Sequence, residues 1–548
     1  MKKGFFLLVF TLLLWSCARV GSPVGGAKDT IAPKFLGANI DTTRVKVPLS
    51  LKQLRLNFDE YVNLREVSKN LIISPPITKI KKILPSNLGN KYILIQWEDD
   101  LQPNTTYNFN FGNAIMDLNE GNVLPYFNYA FSTGEKLDDL YISGDVVAGL
   151  MNENNPNGNA DGKKNYVVGL YKDSDTVDYR QKPNYITKAD PDGYFEMNYL
   201  SPGSYRIVAF NDENQNSVFD QGKEDVAFFK EKIDLNKSVS GIKLRLFPNK
   251  KRVKFLEGKE APGGILLLFE GKPNLVEVTS QNEKLTDYKV SHKPKSDSVR
   301  IWFDAVRQNV GQAQSENLKF AYKADTLKGT ASVYYRMNPK NELTIANTSS
   351  NLLAPNNDFV ITANYPLTTI NPEKWVMKAD SAQVDFSAKI SEANDSKIRV
   401  SANFQTGKKY QLIVPKGTVS SYYQTLAKSY QFNFDVDKPE NYGSLVVNIQ
   451  NKPSAKFWLQ LLDEKGEVQY YRLTDAASVK FTELKPGRYT VRILVDNNGD
   501  GVWNEADFGA QTYAEEVYLF PKTVEVRPLW ENVETWDLNS ENKDKNVQ

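Results

Sequence analysis

Short runs of alternating apolar and polar residues, separated by turn residues, constrain the fold of this chain more than any other feature. Examples are LRLNF at 54–58, YILIQW at 92–97, YRIVAF at 205–210 and FVITANY at 359–365. A period of two places every second side chain on the same face of a strand, and the Gly, Pro, Asn and Asp clusters between the runs mark turns. No long segment shows helical periodicity. The sequence therefore predicts an all-β protein, built as a tandem array of β-sandwiches.

The single cysteine and single histidine among 548 residues exclude most metal and nucleophile chemistry. One thiol forms neither an internal disulfide nor a cysteine zinc site, and one imidazole builds no histidine-rich centre. We find no Gly-x-Ser-x-Gly elbow, phosphate-binding glycine loop or dinucleotide fingerprint. Paired carboxylates stay compatible with the 66 Asp and Glu residues, but no pair stands out. The sequence predicts a protein that is not an enzyme.

The only cysteine lies at the end of an apolar N-terminal segment. Two lysines are followed by an apolar run over 5–15, which is too short to span a membrane and is typical of a secretory signal. The residues Leu14-Trp15-Ser16-Cys17 resemble the bacterial lipobox, in which the cysteine is lipidated and becomes the first residue. We therefore predict a signal peptide at 1–16, a lipid anchor on Cys17 and a flexible tether over 17–30.

Removal of the signal peptide changes the charge balance. It takes away Lys2 and Lys3 and leaves 66 basic against 66 acidic side chains. A neutral chain has no broad positive field to attract phosphate backbones. We therefore expect no nucleic acid among the partners.

The first predicted sandwich, residues 31–134, carries several features in a recognisable order. They are Ala32-Pro33, LRLNFDEYV at 54–62, LQPNTTYNF at 101–109, IMDLNEGN at 115–122 and FSTG at 131–134. Together they resemble the bacterial Ig-like domain of surface-layer and envelope proteins of the SbsA type. Residues 341–437 resemble the same domain more weakly, so that the fold alone is implied there.

An internal repeat links two further segments. LSPGSYRIVAFNDENQNSVFD at 200–220 aligns without a gap on LKPGRYTVRILVDNNGDGVWN at 484–504. Both copies resemble the prealbumin-like or carboxypeptidase-regulatory-like sandwich, which implies such sandwiches at 138–248 and 441–538. Strand-like runs over 249–340 predict one more sandwich between the copies, and the polar tail 539–548 is expected to be disordered.

The loop DNNGDGVWNEAD at 496–507 resembles an EF-hand calcium loop. Calcium prefers six to eight oxygen ligands, which alternate residues of a curled loop provide. The alternative is an Asx-rich turn, which needs the same residue types for its geometry alone. Asp replaces Glu at position twelve, and a strand precedes the loop where an EF-hand has a helix. The candidate ligands are Asp496, Asn498, Asp500, Val502 through its carbonyl, Asn504 and Asp507.

The repeat copy of this loop matches the calcium pattern less closely. Ser217 replaces the turn glycine, Lys223 stands at position twelve, and the nearest acidic residue comes one position later. Calcium is therefore a weaker expectation here than at 496–507. The candidate ligands are Asp212, Asn214, Asn216, Val218, Asp220 and Glu224.

The whole organisation, including GSPVGGAKD at 21–29, resembles outer-membrane lipoproteins of the Bacteroidota. The resemblance implies a non-catalytic structural or scaffold subunit of an envelope complex, such as a barrel-assembly, secretion or gliding machinery. Its partners would be an outer-membrane β-barrel protein or other envelope lipoproteins. The membrane face stays open, with the cell surface favoured. The alternative is a glycan-binding or adhesive surface lipoprotein, in which the exposed aromatics could stack on sugars. They are Tyr422, Tyr423, Tyr470, Tyr471 and Trp530.

Overall fold

The computed structural model describes residues 29–86, 88–151, 165–338 and 341–539. The predicted signal peptide, Cys17, most of the tether and most of the tail lie outside the described residues. Within them the regular structure is almost entirely strand, with one helical turn, α1 (Val67–Asn70), and 3-10 turns at Pro372–Lys374 and Pro439–Asn441. The all-β prediction is confirmed. No helix in these ranges is long and apolar enough to cross a membrane.

Sandwich one packs the sheet β1-β2-β5-β4, with β7 on β2, against the sheet β3-β6-β8. Ile93, Ile95 and Trp97 alternate into its core, which is why YILIQW reads as a period-two run. Its strands are β1 (Phe35–Ala38), β2 (Gln53–Leu64), β3 (Ile72–Ser74), β4 (Ile80–Leu84), β5 (Asn90–Trp97), β6 (Thr106–Gly112), β7 (Ile115–Asp117) and β8 (Phe127–Ser132).

Sandwich two packs the sheet β12-β9-β16 against β11-β10-β13-β14, and β15 also pairs with β13. The pair β9 and β16 is parallel, and the other pairs are antiparallel. Its strands are β9 (Leu140–Ala148), β10 (Tyr166–Lys172), β11 (Tyr185–Lys188), β12 (Tyr194–Leu200), β13 (Gly203–Asn211), β14 (Val226–Phe228), β15 (Ile233–Leu235) and β16 (Val239–Leu246).

Sandwich three packs β17-β18-β21-β20 against β19-β22-β23. Its core includes Ile265, Leu267 and Phe269, which alternate along β18. Its strands are β17 (Lys254–Ala261), β18 (Gly264–Glu270), β19 (Val276–Ser280), β20 (Tyr288–His292), β21 (Ser298–Phe303), β22 (Glu316–Ala324) and β23 (Leu327–Tyr335).

Sandwich four contains the sheets β24-β26-β31-β30 and β25-β34-β32-β28-β29, and the small pair β27-β33. Phe359 and Phe434 stack in its core with ring centroids 4.1 Å apart. Its strands are β24 (Ile345–Asn347), β25 (Leu352–Leu353), β26 (Phe359–Ala363), β27 (Leu367–Ile370), β28 (Val376–Ala379), β29 (Ala382–Gln383), β30 (Ser387–Ser391), β31 (Asn394–Ser401), β32 (Lys409–Val414), β33 (Val419–Ser421) and β34 (Tyr430–Val436).

Sandwich five repeats the topology of sandwich two. It packs β38-β35-β41 against β37-β36-β39-β40, and its first and last strands, β35 and β41, run parallel as β9 and β16 do. Tyr205 and Tyr489, at the repeat offset, each donate a hydroxyl hydrogen bond to the carbonyl four residues earlier. The strands are β35 (Gly443–Gln450), β36 (Phe457–Leu462), β37 (Val468–Thr474), β38 (Ser478–Leu484), β39 (Gly487–Val495), β40 (Val517–Val526) and β41 (Glu531–Asp537).

Sandwiches two and five also pack against each other, although sandwiches three and four separate them in sequence. Strand β13 shows why: Ile207 and Ala209 face its own core, while Val208 and Phe210 face sandwich five. Apolar residues on both faces of a strand require cover on both faces. We call this common core the shared cluster; its buried members are Val167, Tyr171, Ile186, Val208, Phe210, Phe219, Val226, Phe228, Phe247, Leu494, Ala506, Phe508, Ala514 and Val517.

Candidate functional site

The two candidate calcium loops occupy equivalent places beside the shared cluster. The first connects β13 to β14, and the second connects β39 to β40. Each curls through two left-handed residues at the repeat offset, Gln215 and Ser217 in the first, Gly499 and Gly501 in the second. The curl turns alternate side chains toward the inside of the loop.

In the second loop, Asp496 organises the main chain. Its two carboxylate oxygens accept hydrogen bonds from the N–H groups of Asp500 at 3.1 Å and Gly501 at 3.0 Å. The side-chain oxygens of Asn498 and Asp500 accept further bonds from N–H groups two residues later. These hydrogen bonds hold the main chain of the loop in a curl, and an Asx-rich turn makes bonds of the same kind.

Asp507, the predicted ligand at position twelve, lies in a separate turn. Its carboxylate accepts a hydrogen bond from the N–H of Ala510, and Lys250 lies 3.5 Å away. Glu515 closes the loop instead. Its carboxylate accepts hydrogen bonds from the N–H groups of Asn497, Asn498 and Asn504, so its negative charge is met by several donors.

A lysine of sandwich three enters the second loop. The ammonium of Lys295 donates to Asp500 Oδ2 at 2.5 Å and to Asn504 Oδ1 at 2.6 Å. Burial acts to raise the pKa of Asp500, but hydrogen bonds from Lys295, Asn504 and other donors outweigh it and lower that pKa to about 2. The loop thus receives a positive charge from within the same chain.

In the first loop, Asp212 makes the same main-chain contacts as Asp496. It is fully buried, and it accepts hydrogen bonds from the N–H groups of Asn216 and Ser217, each at 3.0 Å. Asp220 accepts from the side-chain amides of Asn214 at 2.5 Å and Asn216 at 3.2 Å. Both amides are neutral, so these contacts bring no positive charge.

Glu224 closes the first loop, but only half of its carboxylate has a partner. Its side chain is 3% exposed, and Oε2 accepts a hydrogen bond from the N–H of Asp220 at 2.9 Å. Oε1 is buried and has no hydrogen-bond partner among the described residues. Burial, reinforced by the charges of Asp212 and Asp220, raises the pKa of Glu224 to about 7.

Strand register makes Glu224 and Glu515 equivalent. Val208 pairs with Phe228, and Arg492, at the repeat offset, pairs with Leu519, so each glutamate lies two residues before the closing strand. The spacing of the first loop does not point to Glu515, because the second loop carries seven extra residues. The similarity of EDVAFF at 224–229 to EEVYLF at 515–520 is the signal that reveals it once a gap is allowed.

The inserted residues build the contact with sandwich two. Phe508 is 4% exposed, and its ring meets those of Tyr179, Phe219 and Phe228 edge-on, with centroids 4.8–5.1 Å apart. The N–H of Phe508 donates to Asn249 Oδ1 at 3.1 Å. Edge-to-face rings add about 0.5–1.5 kcal/mol to each pair beyond area burial.

Hydrogen bonds at the edge of the shared cluster also join sandwich five to residues 150 and 250. The guanidinium of Arg492 donates to the carbonyl of Leu150 at 2.8 Å and to Gln460 Oε1, and burial lowers the pKa of Arg492 to about 10. The N–H of Lys250 donates to the carbonyl of Ala506 at 2.7 Å. A buried donor that loses its partner costs about 1–3 kcal/mol, so these contacts favour one orientation of the two sandwiches.

The donor sets of the two loops differ in how well they suit calcium. Across the described ranges, no three carboxylate, imidazole or thiol groups form a ready metal cluster, so a calcium site here must include amide and carbonyl oxygens. The first loop offers such oxygens together with the unpartnered Glu224 oxygen. In the second loop, the carboxylates already accept hydrogen bonds from main-chain N–H groups, and Asp500 also accepts one from Lys295.

Two clefts lie between sandwiches one and two, and acidic residues line neither of them. One, of about 840 Å³, includes Arg180 and Lys182 in its wall, and the other, of about 500 Å³, is mainly Ile, Leu and Pro. A glycosidase needs two carboxylates facing a cleft. These clefts therefore offer no support to the carboxylate-enzyme alternative.

The aromatic residues considered for sugar stacking are dispersed. Tyr471 on β37 and Trp530 before β41 are exposed and belong to different sheets. Tyr422 belongs to sandwich four, and the neighbouring Tyr423 donates its hydroxyl to Asp287 Oδ1 at 3.0 Å. They do not form one platform.

Comparison with known proteins gives one family match and several distant structural similarities. No curated protein matches the chain. BcpA, the major pilin subunit of Bacillus cereus, is 10% identical, with 72% of this chain and 99% of that chain covered and a TM-score of 0.13. Surface layer protein SbsC, domains 1–6, is 13% identical, with 90% and 67% covered and a TM-score of 0.15.

A Bacteroides ovatus SGBP-B, solved in complex with a mixed-linkage heptasaccharide, is 12% identical, with 66% of this chain and 89% of that chain covered and a TM-score of 0.19. The family match is more local. Residues 29–133 match the family described as bacterial Ig-like domain. The resemblance predicted for the first sandwich is therefore confirmed.

Proposed function

We propose that this protein is a non-catalytic outer-membrane lipoprotein that serves as a structural or scaffold subunit of an envelope protein complex. The observation that carries the proposal is the contact between sandwiches that are not neighbours in sequence. Sandwich two packs on sandwich five through the shared cluster, and Lys295 of sandwich three binds the loop of sandwich five. Such contacts favour a rigid support over a string of independent modules.

Consecutive sandwiches are also joined by specific contacts. The N–H of Ile186 in sandwich two donates to Ser74 Oγ in sandwich one at 3.1 Å. Trp302 of sandwich three packs on Tyr365 of sandwich four, with ring centroids 5.2 Å apart. Rigidity of this kind suits a subunit that holds partners at a fixed spacing.

An exposed sheet edge in sandwich five suits contact with a strand-rich partner. β37 is the outer strand of its sheet, and Tyr471 and Leu473 point out from it, 66% and 47% exposed. Unpaired edge groups accept a further strand, and exposed aromatic side chains are common anchors of protein interfaces. An outer-membrane β-barrel protein or another envelope lipoprotein is the partner we propose, with Cys17 as the membrane anchor.

Crosslinking in membranes followed by affinity purification of the tagged full-length protein tests this function. We expect a β-barrel outer-membrane protein to be recovered, most strongly with a photocrosslinking residue at Tyr471. The matched control is a crosslinker at Tyr126, which is 80% exposed in sandwich one. Recovery of no envelope protein, or specific binding on a glycan array instead, would contradict the scaffold function. Cys17→Ala is expected to release the protein from the membrane fraction.

A further inference from the structure

The strongest unexplained feature of the molecule is the buried, unpartnered oxygen of Glu224. A carboxylate oxygen that loses contact with water and gains no hydrogen bond is costly unless a cation neutralises it. Glu224 faces two more carboxylates, Asp212 and Asp220, and no ion pair to any of the three is found in the described part of the chain. Three acidic groups thus share one small region without a counter-charge.

From this we infer that the first loop, residues 212–224, is a calcium site, with Glu224 Oε1 as its closing ligand. Asp212, Asp220 and Glu224 would provide carboxylate oxygens, Asn214 and Asn216 amide oxygens, and Val218 its carbonyl. The three carboxylates alone do not form a ready metal cluster, so the amide and carbonyl oxygens are needed to complete the set. Six oxygens on a short curled loop meet the needs of a hard divalent cation that tolerates irregular geometry. The inference goes beyond the scaffold function and does not depend on it.

The second loop is the natural comparison for this assignment. The Asp496 and Asp212 carboxylates make the same main-chain contacts, so loop geometry does not separate the two copies. What separates them is the closing glutamate. Glu515 accepts several hydrogen bonds, and the Lys295 ammonium supplies a positive charge to Asp500. Burial raises the pKa of Glu224 and the N–H groups of Asp220 and Glu213 act to lower it, but Oε1 makes no hydrogen bond of normal geometry among the described residues.

The first loop also carries part of the shared cluster. Phe219 lies between Val218 and Asp220 and packs edge-on against Phe508 of sandwich five, with centroids 4.9 Å apart. Calcium bound by Val218 and Asp220 would order the segment that carries the Phe219 ring. Calcium would therefore strengthen the contact between sandwiches two and five as well as the loop itself.

Calorimetric titration and thermal unfolding of the purified full-length protein in detergent, first stripped with a chelator, test the site. We expect about one calcium ion per chain and, at a hundredfold excess over Kd, a Tm increase on the order of 5 °C or more. In Glu224→Gln, the calcium binding seen by titration and the Tm increase should both disappear. The metal-free Tm of that variant should equal or exceed that of the unmodified protein, because a neutral amide removes the unpaired charge.

Control variants separate the possible origins of a calcium effect. Asp500→Asn, in the second loop, should keep the titration and the Tm increase. Tyr171→Phe, which removes a nearby buried hydroxyl without a partner in the described residues, should keep both as well. If Glu224→Gln folds poorly, the partly exposed Asp220→Asn serves in its place. Calcium binding that survives Glu224→Gln and Asp220→Asn, that is lost in Asp500→Asn, or that is absent from the unmodified protein would overturn the inference.

Discussion

The loops at 212–224 and 496–515 share one sequence pattern, but their carboxylates have different partners. In both, an aspartate accepts two main-chain hydrogen bonds and a glutamate stands before the closing strand. The second loop is seven residues longer, its glutamate accepts several hydrogen bonds, and a lysine of sandwich three enters it. The first loop is shorter, and among the described residues Glu224 Oε1 has no hydrogen-bond partner. Both loops contribute a ring to the shared cluster, Phe219 and Phe508, but they differ in how their closing glutamates are bonded.

The largest expected effect comes from removing the ring that the insertion contributes. Phe508→Ala should lower the free energy of unfolding by about 3–5 kcal/mol, because truncating a buried Phe leaves a cavity that the cluster only partly fills. Sandwiches two and five should then unfold in separate transitions by scanning calorimetry. Trp530→Ala, at a 61% exposed position, is the control and should change stability by less than about 0.5 kcal/mol. A small loss with a single transition would mean that Phe508 does not couple the sandwiches.

The closing glutamates should respond to the same substitution with opposite signs. Glu515→Gln replaces an acceptor oxygen by an amide that faces N–H donors, and it should cost about 2 kcal/mol. Glu224→Gln should be neutral or stabilising when no metal is present. Urea unfolding midpoints in the presence of a chelator measure both. Destabilisation of equal size in the two variants would show that the closing glutamates are bonded alike.

The lysine that enters the second loop should contribute less, because its ion pair is partly open to solvent. Lys295→Met should lower stability by about 1 kcal/mol at low ionic strength, and the loss should shrink with added salt. The control is Lys293→Met, two residues away at an exposed position, which should have little effect. Equal losses in the two variants at every salt concentration would remove the specific role of Lys295.

Local pattern was enough to predict the strands but not what covers them. YRIVAF predicted β13, and its alternation correctly indicates Ile207 and Ala209 as core residues. The break in alternation at Val208 and Phe210 signals a second covered face, but its partner lies more than 280 residues away. Asp212 and Asp496 were named as candidate loop ligands because the spacing of Asp and Asn within each loop is visible in the local sequence. Glu515 was not named, because an insertion shifts it away from the position that the first loop predicts. Lys295 was not named, because it is distant in sequence and only tertiary packing brings it to the loop.

The smallest expected effect tests whether the two loops share a backbone conformation. Ser217 and Gly501 occupy the same left-handed position, with φ of 59° and 80°. The left-handed conformation costs a residue with a Cβ about 1–2 kcal/mol relative to glycine. Part of this cost is offset because glycine loses more chain entropy on folding. Ser217→Gly should therefore stabilise the metal-free protein by about 0.5 kcal/mol, and Gly501→Ser should destabilise it by a similar amount. A Cβ added at Gly501 meets no atom within 4 Å. Backbone strain alone therefore determines whether Gly501→Ser stabilises or destabilises the protein. Changes of the same sign in the two variants, measured by urea unfolding, would mean that the curl differs between the copies.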